Sequence, residues 1–394
     1  QKLAHLAGAS LWAANFLQHH PILLDELLDV RILEAAPDWP ALSRQLEHAL
    51  DEIEPDTERQ MDLLRETHHA QLFRLLAQDL GGMLTLEKLA DHLSALADVM
   101  LELALKFAWR KVSKRHCETP HFAIISYGKL GGKELGYASD LDLVFIYDDP
   151  APEAPENYAR LATRLNTWLS SQTAAGLLFE TDLRLRPNGD SGLIVCSLET
   201  FRKYQIESAW LWEHQALTRA RFSAGDRTIG DAFEAIRNEI LRQPRDLENL
   251  KREVVAMRQK MFDAHATKGA QAEVVFDLKH DCGGLVDVEF IVQYLVLGHA
   301  HAHPELTGNL GNIALLRIAG ELGLIPAALA ETVRNAYRDY RHLQHRLRLN
   351  NARARVAPDS VSARVAAVCA LWQIVFKEVR TNQPFAQSPS ISAD

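Results

Sequence analysis

The stretch FAIISYGKLGGKELGYASDLDLVFIYD, from Phe122 to Asp148, constrains the fold more than any other part of the chain. Its apolar run, Phe122–Tyr127, predicts a buried strand. A glycine-rich turn follows at Gly128–Gly132, and a polar connection leads to Ser139. The chain re-enters as Asp140–Tyr147, rich in β-branched and aromatic residues, which predicts a second strand. Side chains alternate along a strand, so Asp140 and Asp142 point to one face while Leu141 and Leu143 point to the other. Two carboxylates held side by side at about 4 Å repel by ~4 kcal/mol at an effective dielectric near 20. A divalent cation is the usual offset.

A lone D-x-D proves little, because roughly one is expected by chance in a chain of this size and charge content. The context is what makes it informative: strand, glycine turn, serine, then D-x-D opening a second strand. A third carboxylate appears in FETDLRLRP, Phe179–Pro187. A strand over Leu177–Arg186 would place Asp182, Arg184 and Arg186 on one face, an acid and two cations that are costly to bury without a ligand. Glu180 shares that face and stays open as the third acid, although Asp182 lies next to the arginines. Three carboxylates for two metal ions, with arginines for phosphates, make a site suited to nucleotidyl transfer. Gly131 and Gly132 would let backbone amides approach phosphates, with Lys129 and Ser139 as further donors. The spacing around Lys129 and Lys133 fails the P-loop pattern, since no G-x-x-x-x-G precedes either lysine and no Ser or Thr follows.

Four segments now stand in order: GKLGGKELGYASDLDLVF, DLRLRPNGDSG, ESAWLWEHQALTRAR and FDLKHDCGGLVDVEFIVQYLVL. Together they resemble the glutamine-synthetase adenylyltransferase family, and are most similar to its carboxy-terminal, adenylylating half. The match runs from about Tyr127 to Leu297. Ser126 departs from the pattern, where glycine is more usual, and should be tolerated because it precedes the turn. The resemblance implies an α+β fold that is mostly helical, with a polymerase β-like nucleotidyltransferase core and a mixed sheet flanked by helical regions. It implies transfer of AMP from ATP to a tyrosine hydroxyl of glutamine synthetase, with two Mg²⁺ ions on Asp140, Asp142 and Asp182. Lys129, Gly131, Gly132, Ser139, Arg184 and Arg186 would hold the nucleotide. A PII-type signalling protein and glutamine are the regulators it implies.

At 394 residues the chain is too long for one core. The expected division is a helical region over 1–115, a catalytic core over 116–230, a carboxy-terminal helical bundle over 231–385 and a disordered tail over 386–394. A net charge of −9 argues against a bulk nucleic-acid binder. The four cysteines, Cys117, Cys196, Cys282 and Cys369, are scattered, with neither zinc nor disulfide spacing, and fit reduced thiols in a cytoplasm. No signal peptide is evident, and Leu93–Trp109 is interrupted by Asp98, Glu102 and Lys106, so it reads as a core helix rather than a membrane span. A start at Gln1 fits a carboxy-terminal fragment of a longer enzyme.

The first region reads as helices: residues 6–29 broken at Pro21, then Asp38–Ile53, Thr57–Leu80 behind a capping Asp56, and Thr85–Arg115. The closing run Arg110–Arg115 suits a helix carboxy end, with phosphate binding as its rival. Asn157–Gln172 predicts an amphipathic helix and Leu193–Cys196 a short strand. Ser208–Arg221 predicts a helix on which Trp210, Glu213, Leu217 and Ala220 share a packed face. Leu285–Leu297 predicts a buried helix, with Asp287 and Glu289 either capping it or closing a nucleotide cleft. Glu331–Asn350 carries Arg334, Arg338, Arg341, His345 and Arg348 as a solvated stripe. The rival functions are phosphorolytic removal of AMP at the same metal site, an inactive regulatory binding module, and nucleotidyl transfer to RNA or a small molecule.

Overall fold

The computed structural model of the chain describes Gln18, residues 35–137 and residues 139–377. The helix expected over residues 6–29, Gln18 apart, and the tail expected over 386–394 lie outside the described residues. Two compact units divide the chain, one running to Ile240 and taking in Arg348–Asn351, the other comprising Leu241–Leu347 and the residues from Ala352 onward.

The first unit opens with three helices: α1 (Trp39–Glu52), α2 (Thr57–Leu80) and α3 (Leu86–Arg110). Asp38, Asp56 and Thr85 cap them, each side chain accepting a backbone N–H of the first turn. α2 has the bounds its sequence predicts, but α3 stops at Arg110 rather than Arg115. Lys114 adopts a φ of +56°, which ends regular helix in this connection. The cations of that run pair instead with the end of α1 and the turn after it, Arg110 with Asp51 and Lys111 with Glu54.

Strand β1 (Phe122–Ser126) leads through the single turn α4 (Gly128–Gly131) to β2 (Leu141–Tyr147). α5 (Ala154–Ser170), β3 (Thr181–Asp182), β4 (Val195–Ser197), α6 (Leu198–Glu207), α7 (Leu211–Leu217), β5 (Arg221–Gly225) and α8 (Arg227–Leu241) follow. The sheet order is β3-β2-β1-β5, with β4 also on β2. It is mixed: β1 runs antiparallel to β2 and β5, while β3 and β4 run parallel to β2, β3 beside its start and β4 beside its end. Leu141 and Leu143 are fully buried, worth about 1.5–3 kcal/mol each. That burial sets the register, because a one-residue slip would drive Asp142 into the core and the leucines out. α3 packs on β5 and on α1, α2 and α5. Trp109 stacks on Tyr158 at 5.6 Å within the shared core.

Two expectations fail here, each to a side-chain contact. The third strand is limited to Thr181–Asp182 instead of Leu177–Arg186. The Asp182 carboxylate accepts the Arg184 amide at 2.8 Å, and Asn188 takes a φ of +62°, so the chain turns away at once. Asp182, Arg184 and Arg186 therefore do not share a strand face. The helix expected over Ser208–Arg221 is also shorter, and its end becomes β5. The buried Arg237 takes the Leu217 and Thr218 carbonyls at 3.1 and 2.7 Å, groups at the helix terminus that need outside partners.

The second unit contains α9 (Leu247–His265), α10 (Leu285–His299), α11 (Asn312–Glu321), α12 (Ala327–Leu349) and α13 (Ser362–Phe376). A small antiparallel ribbon joins β6 (Phe276–Asp277) to β7 (Arg355–Val356). α10 is buried along most of its length, as its sequence predicts. The basic stripe of α12 is not a solvated face, because Arg341 and His345 are buried. No helix among the described residues is long and apolar enough to cross a membrane.

Candidate active site

The parallel pairing of β3 with β2 brings the second and third acids together. Asp142 stands opposite Asp182 in register, and the Leu141 amide donates to the Glu180 carbonyl at 2.9 Å. Asp140 lies exposed just before β2. Burial raises the Asp142 carboxyl, and the neighbouring charges of Asp140 and Asp182 push it further, to about 6; Lys129 and Arg219 pull in the other direction. Asp182 is held below the usual carboxylate range by its hydrogen bonds with Arg184. That guanidinium reaches both oxygens, Nε lying 3.0 and 2.9 Å from them. Glu180, the alternative third acid, is exposed one residue before β3.

Three carboxylates thus converge, and burial first, then the charge of the other two, raises the middle one. An all-oxygen, anionic donor set of this kind fits a hard divalent cation such as Mg²⁺.

The glycine turn is shaped around this cluster. Gly128 has a φ of +56°, and a Cβ there would come within 2.0 Å of Asp142 Oδ2. At Gly131 a Cβ would meet the Arg219 carbonyl at 1.9 Å, and at Gly132 the Arg219 guanidinium at 2.7 Å. The Gly131 and Gly132 amides donate to Tyr127 O and Gly128 O at 2.9 and 3.1 Å. In this structure those two residues provide close approach rather than free amides. Ser139 Oγ accepts the Gly136 amide at 3.2 Å. Arg186 is drawn into its own loop: it donates to Leu183 O at 2.7 Å and Gly192 O at 3.3 Å, with Asp190 at 3.5 Å. Arg184 stays 73% exposed.

Several residues beside the turn were not singled out in the sequence. Arg219 forms a buried ion pair with Glu134 at 2.7 Å, directly under Gly132. Arg221 pairs with Asp98 at 2.9 Å. Ser126 hydrogen-bonds Ser223 at 2.6 Å across β1 and β5, so its hydroxyl has a partner in the core. The only hint in sequence was the alternation of TRARF, which suits a strand as well as a helix end. Trp210 is a further correction: it is 71% exposed and so lies off the packed face that keeps Glu213 and Leu217 buried. Glu213 instead accepts the Trp210 amide at 2.8 Å and the Tyr204 hydroxyl at 2.9 Å.

In the second unit, the KHDCGG turn is knotted by its own acids. Asp281 accepts the Thr267 and Asp277 amides, each at 2.7 Å, and Asp277 accepts those of Lys279 and His280, each at 3.0 Å. Asp287, fully buried, accepts the Gly283 amide at 2.6 Å and pairs with the buried Arg258. It is neither a simple cap nor a free charge.

A profile of the glutamate-ammonia ligase adenylyltransferase family matches residues 1–236, and one of the GlnD PII-uridylyltransferase family matches residues 252–368. The mixed sheet with its paired aspartates and glycine turn is the core of a polymerase β-like nucleotidyltransferase. Over 95% of its length the chain is 70% identical to a bifunctional glutamine synthetase adenylyltransferase/adenylyl-removing enzyme of Aromatoleum aromaticum, covering 40% of that protein. Proteins of the same name from Chromobacterium violaceum and Nitrosomonas europaea are 57% and 54% identical over 96% and 95% of the chain, which covers 42% of each. The chain belongs to the glutamate-ammonia ligase adenylyltransferase family. It spans about two fifths of the length of these relatives.

Proposed function

We propose that this chain moves AMP from ATP to a tyrosine hydroxyl of glutamine synthetase, with pyrophosphate as the leaving group. Catalysis is assigned to residues 116–230, between helical regions over 1–115 and 231–385. The observation that carries the reading is the convergence of Asp140, Asp142 and Asp182 at the start of β2, beside a glycine turn, in a family named for this chemistry. Those three carboxylates would hold two Mg²⁺ ions. Magnesium bound there supplies Lewis-acid polarisation of the phosphate and of the attacking hydroxyl.

The rest falls to the chain's own side chains. Asp182 lies nearest the acceptor and orients the tyrosine hydroxyl, whose ordinary pKa of about 10 makes it a poor nucleophile unaided. Arg184, well exposed, exchanges Asp182 for the triphosphate when the nucleotide enters. Lys129 and the Ser139 hydroxyl are further phosphate donors on the same rim. Arg186 contributes by holding the loop that presents Arg184. The phenolic oxygen attacks the α-phosphorus in line, the bond to the β-phosphate breaks, and the phenolic proton passes to the carboxylate cluster. The match of residues 252–368 to a family named for a PII protein supports a PII-type regulator for the second unit, with glutamine as the small-molecule signal.

The test is transfer from α-labelled ATP to unmodified glutamine synthetase, with Mg²⁺, by the wild-type chain and by Asp140→Asn and Asp142→Asn. Label on a synthetase tyrosine is expected, with a loss of about 10³-fold, ~4 kcal/mol, in each variant. Release of ADP from modified synthetase with phosphate, and no forward transfer, would replace this reading by phosphorolysis. Absence of Mg-ATP binding by the wild-type chain would overturn it.

A further inference from the structure

The sheet carries a second polar cluster at its opposite end. His116 and Cys117 precede β1, and Asp149 follows β2. Phe122 pairs with Tyr147 at this end, while Ser126 pairs with Leu143 beside the acids, roughly 13 Å away along the strands. The donor atoms of His116, Cys117 and Asp149 all lie within 4.8 Å of one another. The His116 and Asp149 side chains are only 10% and 6% exposed.

We infer that His116 Nε2, Cys117 Sγ and Asp149 Oδ2 form a binding site for a zinc-class divalent cation that ties the entry of β1 to the exit of β2. Tetrahedral zinc, with Zn–S about 2.3 Å and Zn–N about 2.0 Å, places sulfur and nitrogen roughly 3.5 Å apart. Cys117 Sγ lies 3.6 Å from His116 Nε2. The nitrogen and Asp149 Oδ2 are 2.8 Å apart, joined by a hydrogen bond, and need to part by about 0.5 Å to reach ligand spacing. A cysteine buried for packing behaves as a small apolar group. Cys117 instead faces the imidazole and the Tyr158 hydroxyl, the latter at a loose 3.9 Å. A supporting shell is in place. Tyr158 donates to Asp149 Oδ2 at 2.6 Å, and Asn157 lies 2.9 Å from His116 Nδ1, the kind of outer contact that fixes a metal-bound histidine and carboxylate. Burial, and then the Asp149 charge, keep the thiol protonated in the metal-free protein. Cation entry therefore expels the thiol proton and shifts the His116 proton from Nε2 to Nδ1, where the Asn157 amide would turn its carbonyl oxygen to accept it.

The probe is Zn²⁺, titrated by competition against a chromogenic chelator into the chelator-stripped full chain, with excess Mg²⁺ present to occupy the aspartate cluster. Co²⁺ is titrated in parallel. One zinc per chain is expected, with a thiolate-to-cobalt charge-transfer band. Cys117→Ser should lose the band and weaken zinc by about 100-fold, since even outer-shell changes cost about 10–100-fold. Cys117→Ser retains a polar group of similar size; a matching circular dichroism spectrum and Tm would establish that it folds. Tyr158→Phe keeps all three ligands and should weaken zinc by about 10-fold. No stoichiometric zinc in the wild-type chain, or zinc affinity unchanged in Cys117→Ser, overturns the inference.

Discussion

Two sets of three aspartates, one in each unit, have opposite fates. Asp277, Asp281 and Asp287 in the second unit are each met by backbone amides or by a buried guanidinium. Hydrogen bonds from the His280 side chain and amide, and from the Lys279 amide, outweigh burial and hold Asp277 down at about 2. At the start of β2, Asp140, Asp142 and Asp182 face one another instead, and Asp142 rises to about 6. Of the first set, Asp277 stabilises its fold in the ionised state, whereas full burial raises the Asp287 carboxyl even beside Arg258. In the second set Asp182 has Arg184 as its donor, and it is Asp142, raised by burial and by its neighbours' charge, that lowers the stability of the fold when ionised and is poised for a cation.

The comparison can be broken at either end. The largest effect is expected for Asp287→Ala, which strands Arg258 in the core. Losing one partner of a buried pair costs about 3–5 kcal/mol, read as a lower urea midpoint for the second unit. An unchanged midpoint would show that Arg258 finds another anion. Asp142→Asn should act with the opposite sign. A raised carboxyl binds its proton more tightly when folded, so wild-type stability falls as pH rises from the unfolded value near 4 to about 6. Above that window the amide should be more stable by up to about 3 kcal/mol without metal, and the gain should vanish below pH ~4. Melts across pH 3.5–8 measure this, the range itself being set by about those two pKa values. A destabilised variant at pH 8 would contradict the crowding.

Gly128→Ala ranks third. Its methyl meets the Asp142 carboxylate in a left-handed backbone, so about 1–3 kcal/mol is expected from the strain. Because the clash falls on the cluster, Mg-ATP affinity should fall along with stability. Gly82→Ala is the control, with a similar φ of +71° and open space around it. It should lose stability alone. The smallest change is expected for Trp210→Ala, within about 0.5 kcal/mol, as for an exposed side chain outside the core. A large loss in melting temperature would show that Trp210 packs after all.

Much of the first unit was legible because its signals are local. The strands beginning at Phe122 and Asp140 could be read from apolar runs, and α2 from its capping aspartate and closing glycines. Where reading failed, a specific side-chain contact had intervened, near or distant in sequence. Arg237 took the carbonyls that end α7, and the next residues joined β1 as β5. The Asp182 carboxylate folded back on Arg184 and cut β3 short. The arginines of α12 read as a solvated stripe, since periodicity reports which residues share a face and not what covers it.

By itself, the sequence determined the two strands and the glycine turn between them, the shared face of the D-x-D acids, and the apolar identity of α10. These follow from alternation and helical period, which are properties of neighbouring residues. Only the tertiary structure decided that Asp182 stands beside Asp142, that Arg219 lies beneath the glycine turn, and that His116 and Cys117 meet Asp149. Each of these depends on strand order and parallel or antiparallel pairing, which bring together residues dozens of positions apart. A carboxylate's charge state then follows from the groups it meets in space, and no spacing along the chain contains that information.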